Sequence, residues 1–201
     1  MKKEITAETE NYVRKLLKKL PPYLTYHNIN HTTRVVDSVI TIACNCDLSE
    51  DEKEILVLSA WFHDTGFIKT YRGHEEESQQ IASAFLALQN YPREKIKLVN
   101  RCIDATRISH HPKDLLEKII RDADLYHLAT SDYFTILENL KKEWEHVHRT
   151  RIKDEVWFVQ NLNFLATHRY YTSYCQQHLK EKKQENLFKN LQKVATYKCS
   201  I

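Results

Sequence analysis

Apolar positions along the chain fall at mostly helical spacing, and polar or proline-bearing stretches divide them into separate segments. Ile5, Tyr12, Val13, Leu16, Leu17 and Leu20 mark a first helix over residues 4–20, which Pro21-Pro22 stops because proline lacks an amide donor. After a polar approach from Tyr23 to Asn30, the pattern Val35, Val36, Val39, Ile40, Ile42, Ala43 marks a second helix from near His31 to about Cys46. Ser49-Glu50-Asp51-Glu52 is a capping-box sequence, so a third helix is expected to start there and to run to His63 along Ile55, Leu56, Val57, Leu58, Ala60, Trp61 and Phe62. Acidic residues in its first turn complement the macrodipole. A fourth helix opens at His74 and carries Ile81, Ala82, Phe85 and Leu88; a fifth follows Pro92 through Ile96, Leu98, Val99, Cys102, Ile103 and Ala105. His110-His111-Pro112 ends the fifth, and Pro112 starts a sixth through Leu115, Leu116, Ile119, Ile120, Ala123, Leu125 and Leu128. Beyond Thr130-Ser131, a second capping sequence, residues 132–147 and 153–198 read as long amphipathic helices, with Lys180 to Glu185 as a solvated face.

Composition supports that pattern. Only 2 Gly and 4 Pro among 201 residues leave little material for tight turns, and the expected fold is all-α. The length favours a single domain over 1–201, with a core at about 20–130 and a helical extension at about 131–201. A net charge of +3, with cations and acids interspersed, argues against a nucleic-acid partner. No apolar run approaches the roughly 18–20 residues of a membrane span, and the start Met1-Lys2-Lys3-Glu4-Ile5 has no apolar signal core. The expectation is a cytoplasmic protein. Its five cysteines, Cys44, Cys46, Cys102, Cys175 and Cys199, are odd in number and scattered, as free thiols in a reducing compartment would be; Cys44-Asn45-Cys46 has no second pair of zinc-type spacing.

The two glycines change the picture, because both, Gly66 and Gly73, lie in one short loop between His63-Asp64 and His74. Glycine permits sharp turns and close backbone approach. An imidazole followed directly by a carboxylate, where a helix opens into that loop, puts two ligand-grade side chains together. A divalent ion cannot be surrounded from one helix face, so further ligands must come from other elements. His31 at a helix start and Asp122 or Asp124 in an otherwise apolar helix are the candidates, since an inward-facing acid there needs a cation or a metal beside it. His146 and His148, two apart on a helix, point in different directions, and His127, His168 and His178 are isolated. The glycine count excludes a Walker or Rossmann phosphate loop.

Tyr26-His27-Asn28-Ile29-Asn30-His31-Thr32, Trp61-Phe62-His63-Asp64-Thr65-Gly66-Phe67, Gly73-His74-Glu75-Glu76-Glu77-Ser78 and Asp122-Ala123-Asp124-Leu125 stand in an order that resembles the HD-domain superfamily of metal-dependent phosphohydrolases, over roughly residues 20–130. The resemblance implies a helical bundle with His31, His63, Asp64 and Asp124 around a divalent metal, Asp124 being favoured over Asp122 by the Ala-Asp-hydrophobic pattern. Mixed imidazole and carboxylate donors suit Mn, Fe, Co, Ni, Zn or, less well, Mg. The implied reaction is hydrolysis of a phosphate ester or anhydride in a small molecule, a nucleotide being one candidate, by metal-activated water. Asp64, His74 and Glu77 are its catalytic candidates, with His74 also placed to bind a second metal, and His110 or His111 a looser match to a further histidine. Arg34, Lys69, Arg72 and Arg107 are the cations expected to hold the phosphate. The later helices would shape the pocket or form a homodimer surface. Thr65-Gly66-Phe67 lacks the glutamate that some related nucleotidases carry after His-Asp. Two other readings fit the same residues: a di-iron oxygenase, and a metal-binding sensor without turnover.

Overall fold

Side-chain caps set where several helices begin. Asn28 accepts from the amides of Asn30 and His31, and so starts a helix one turn ahead of the apolar run. Ser49 and Glu52 form the reciprocal capping box that their spacing predicts. The computed structural model describes residues 2–198, and helices follow one another as α1 (Lys2–Leu17), α2 (Ile29–Ala43), α3 (Glu50–Phe62), α4 (His74–Leu88), α5 (Arg93–Asp104), α6 (Leu115–Asp124), α7 (Tyr133–Val147), α8 (Asp154–Thr167), α9 (Ser173–His178) and α10 (Lys180–Lys198). Tight 3-10 turns at Thr65–Ile68 and Tyr126–Ala129 complete the secondary structure, and no strand occurs among the described residues. The fold is all-α. Cys199 lies outside the described residues; Cys44, Cys46, Cys102 and Cys175 are free thiols.

The chain forms two compact units that divide between Asp124 and Leu125. In the first, α3 is the central helix. Its run Ile55, Leu56, Leu58, Ala60, Trp61, Phe62 is buried on every side, and α1, α2, α5 and α6 pack around it. A helix apolar all round belongs in a core. Each large side chain buried there contributes roughly 1.5–3 kcal/mol, so the end of α3 is held firmly. His63 and Asp64 hang from that end.

Two buried charged side chains fix the stretch between α5 and α6. Arg121 donates to the carbonyls of Ala105, Thr106, Arg107 and Ile108, closing the C-terminus of α5 with a cation. Glu117 accepts from Lys113 N–H at 2.8 Å, His110 Nε2 at 3.0 Å and Arg101 Nε at 3.2 Å. Burial alone would raise the Glu117 carboxyl, but His110, the Lys113 amide and Arg101 outweigh it and hold the carboxyl below its ordinary value. A lowered folded value means that the stabilisation is present above the ordinary carboxyl range and is lost as pH falls through the folded value. Glu117→Gln should therefore cost about 2–4 kcal/mol at neutral pH. Denaturant melts should show the gap between variant and parent closing below about pH 4. A gap that is constant with pH would contradict this account.

The second unit has its own core of Leu128, Tyr133, Leu137, Trp157 and Leu165. Asn186 on α10 donates to the carbonyls of Leu128 and Thr130 at 3.0 and 2.9 Å, tying α10 to the turn that opens the unit. Two expectations are corrected here. The sixth helix begins at Leu115, not Pro112, and ends at Asp124, where a 3-10 turn replaces the expected continuation through Leu128. The expected helix over 153–198 is three helices. Thr172 caps α9 by accepting from Cys175 N–H, and Lys183 donates to the carbonyl of His168 at 2.6 Å, so tertiary partners replace the helical bonds between Thr167 and Ser173. Lys180 to Glu185 is solvated except at Lys183, which is buried.

Candidate metal centre

Three helix ends converge. His31 stands in the first turn of α2, His63 and Asp64 follow the last residue of α3, and Asp124 ends α6. His63 Nδ1–H donates to the carbonyl of Ala60 at 2.8 Å, which fixes the ring and aims Nε2 inward as the nitrogen that a metal would meet. His63 Nε2 lies 3.2 Å from His31 Nε2, 3.2 Å from Asp64 Oδ2 and 3.7 Å from Asp124 Oδ1. His31 Nε2 lies 3.3 Å from Asp64 Oδ2 and 3.2 Å from Asp124 Oδ1. Donors about 2.1 Å from a common centre stand about 3.0 Å apart at neighbouring octahedral positions and about 3.4 Å apart in a tetrahedron. The observed spacings fit an ion. His31, His63 and Asp124 form a donor cluster able to hold one.

The chemistry of the cluster supports the same fit. His31, His63 and Asp64 are buried, and Asp64 Oδ2 accepts no well-aligned hydrogen bond although two imidazole nitrogens stand close to it. A buried carboxylate oxygen in that state is costly unless a cation takes its lone pair. Burial opposes charge on the His31 imidazole, yet Asp124 and Asp64 outweigh it and raise His31 to about 9. Burial pushes the Asp64 carboxyl upward, but His63 and His31 hold it well below its ordinary value; Asp124 is shifted the same way by His31 and His63. The two carboxylates therefore stay ionised beside the imidazoles, which is the protonation state a metal ligand needs. Asp124 faces the imidazoles, as the preference for it over Asp122 requires; Asp122 is fully buried in α6.

His74 joins through the other oxygen of Asp64. Its Nδ1–H donates to the Tyr71 carbonyl at 3.2 Å, and its Nε2 lies 3.5 Å from Asp64 Oδ1. One carboxylate thus faces His31 and His63 with one oxygen and His74 with the other. Phe67 fixes the ring: His74 stacks on it at 3.9 Å between centroids and His27 stacks on it at 4.3 Å. Both glycines serve this placement. Gly66 passes so close to the start of α4 that a β-carbon would lie 1.9 Å from the His74 carbonyl oxygen, and its amide donates to Ser78 Oγ at 2.8 Å. Gly73 has φ +74, the left-handed conformation that glycine adopts without penalty.

The expected phosphate-binding cations are placed differently from one another. Lys69 pairs with Glu77 at 2.7 Å. Arg107 is held by Asp104 at 2.7 Å, Glu76 at 3.2 Å and Glu75 at 3.4 Å, so it joins α5 to α4. Arg34 is exposed one turn beyond His31, and Arg72 is exposed just before Gly73. His110 faces Glu117 and Asp104, and His111 is exposed. Sequence reasoning gave no role to His27 or Arg121. His27 stood in the quoted Tyr-His-Asn run, and an aromatic ring at Phe67 was the available signal for a stack; the carbonyls that Arg121 gathers leave no local signal.

Among curated proteins nothing matches this chain. A family model described as HD-CE matches residues 21–192, well over half of the sequence and including every donor of the cluster, and the chain accordingly belongs to the HD-CE family.

Proposed function

We propose that this chain is a metal-dependent phosphohydrolase acting on a phosphate ester or anhydride of a small molecule. The observation that carries the reading is the inward convergence of His31, His63, Asp64 and Asp124, with one Asp64 oxygen buried and without an aligned donor. These four residues would hold a divalent cation; Mn, Fe, Co, Ni, Zn and Mg remain open as its identity. When bound, such a cation supplies an acidified water and polarises the phosphorus centre. The chain's own residues orient the rest. The Ala60 carbonyl keeps His63 in the correct tautomer, and the His27-Phe67-His74 stack holds the His74 imidazole beside Asp64. From there His74 can meet a phosphate oxygen, pass a proton at Nε2, or extend the donor set toward a second cation. Lys69 and Arg72, in the loop before α4, and Arg34 on α2 are the cations offered to the substrate, and Lys69 exchanges Glu77 for phosphate as it binds. Released from Lys69, Glu77, one turn past His74 on α4, is the carboxyl offered to the leaving group, since Glu75 and Glu76 face Arg107. Arg107 acts by holding Glu75 and Glu76 at the start of α4.

The shared position of Asp64 between His31, His63 and His74 also favours a second reading, a dinuclear iron site that activates oxygen. One experiment separates the two. The purified protein is assayed for metal content and then offered a broad panel of phosphate esters and anhydrides, anaerobically, with and without added manganese. Anaerobic release of phosphate, absent in His63→Ala, is the expected result. Iron content with oxygen uptake and no phosphate release would favour the oxygenase, and no turnover of any substrate would favour a sensor.

A further inference from the structure

The second unit contains a cavity of about 580 Å³ formed by α8, the link after it, α9 and α10. Arg169, Lys180 and Lys183 line it, with Leu165 and Leu187 as apolar wall and Gln176 as a neutral polar group. No carboxylate lines it among the described residues. Lys183 is the unusual member. Its side chain is buried, its ammonium donates to the His168 carbonyl at 2.6 Å and stands 5.7 Å from the Tyr170 ring centre, and it makes no ion pair with any described residue. Buried charges ordinarily have a counter-charge.

The end of α8 accounts for part of this arrangement. Arg169 donates to the carbonyls of Ala166 and His168 at 2.7 and 2.8 Å, so both cations cap the same helix terminus. A helix C-terminus offers roughly half a negative charge. Against it stand two full positive charges, and Lys180 adds a third at the rim. More than one unit of positive charge is left over. Burial and the neighbouring Arg169 both push the Lys183 ammonium below its ordinary value, which is the mark of a cation short of an anion. The volume lies within the range of about 300–1,000 Å³ usual for small-molecule sites.

We propose that this cavity binds a phosphorylated small molecule whose anionic head meets Arg169, Lys180 and Lys183 and whose apolar body lies against Leu165 and Leu187. A dianionic head matches the leftover charge better than a carboxylate, and the guanidinium of Arg169 suits phosphate oxygens. The site does not depend on the metal centre, whose donors all belong to the first unit.

The test uses the full chain carrying Asp124→Asn, in chelator, so that no probe is consumed or held at the metal centre. AMP, phenyl phosphate, inorganic phosphate, adenosine and phenol are titrated by calorimetry. AMP or phenyl phosphate is expected to bind with Kd of roughly 100 µM or tighter, inorganic phosphate more weakly, and adenosine and phenol not at all. Added separately, Arg169→Ala and Lys183→Met should each weaken the organic phosphate about tenfold. Without ligand, Lys183→Met should leave Tm unchanged or raise it, because the cost of the unpaired buried charge offsets the bond it gives to the His168 carbonyl. The proposal is overturned if neither organic phosphate titrates, if both variants bind as the parent does, or if Lys183→Met lowers Tm by more than about 4 °C, which would show the ammonium to be fully satisfied as a helix cap.

Discussion

Asp124→Asn is expected to weaken cation binding at the metal centre while leaving the helices in place. The exchange preserves volume and replaces one carboxylate oxygen, the one 3.2 Å from His31 Nε2 and 3.7 Å from His63 Nε2, with a neutral amide. In the parent, a divalent cation at a thousand times its Kd should stabilise the fold by about 4 kcal/mol. For a chain of this size that is a rise in Tm of roughly 8–16 °C. Loss of a charged ligand should weaken binding about a hundredfold or more. At the same metal concentration the stabilisation then falls to about 1.4 kcal/mol, and the thermal shift drops by about two thirds. Each protein is compared with its own metal-free form, so any change in apo stability cancels. Thermal melts with manganese or zinc, paired with elemental analysis, read both effects. Equal metal retention and equal thermal shifts in parent and variant would show that Asp124 is not a ligand.

Part of this centre is legible without coordinates because His31 and His63-Asp64 sit where local rules already place helix ends. Ser49 and Glu52 predict the start of α3, the apolar run Ile55 to Phe62 predicts that it is central, and His63-Asp64 falls at its end in consequence. Asp124, where the apolar pattern runs on to Leu128, carries a different argument, since an acid turned inward from an apolar helix needs a cation. The second half of the chain is less legible for a physical reason. Residues 168–172 contain neither Gly nor Pro, so the helical pattern runs through them unbroken. The break there is made by Thr172 and by Lys183, the latter fifteen residues away in sequence. The same holds for Lys69, Glu77 and Arg107. Their types and loop positions mark them as available charges, but which charge meets which is decided by how α4 and α5 come together.

Gly66→Ala should be the most damaging small substitution in the first unit, and comparison with Gly73→Ala identifies the cause. At Gly73 the penalty is conformational. Its φ of +74 costs an alanine about 1–2 kcal/mol, and the added methyl meets only the Glu76 carboxylate, a movable group, at 3.5 Å. At Gly66 the obstacle is main chain. A β-carbon 1.9 Å from the His74 carbonyl oxygen, with Ser78 N at 2.9 Å, can be relieved only if the Thr65–Ile68 turn separates from the start of α4. That separation breaks the Gly66 N–H to Ser78 bond and unstacks His74 from Phe67. The expected cost is about 4 kcal/mol or more, a fall in Tm of roughly 8–16 °C. If the variant still folds, His74 no longer faces Asp64 Oδ1, so phosphate release should fall further than metal content does, because His31, His63 and Asp124 keep their own supports. A Gly66→Ala protein as stable as Gly73→Ala would mean that the turn and α4 are not packed backbone against backbone, and His74 would lose its claim to a fixed place beside Asp64.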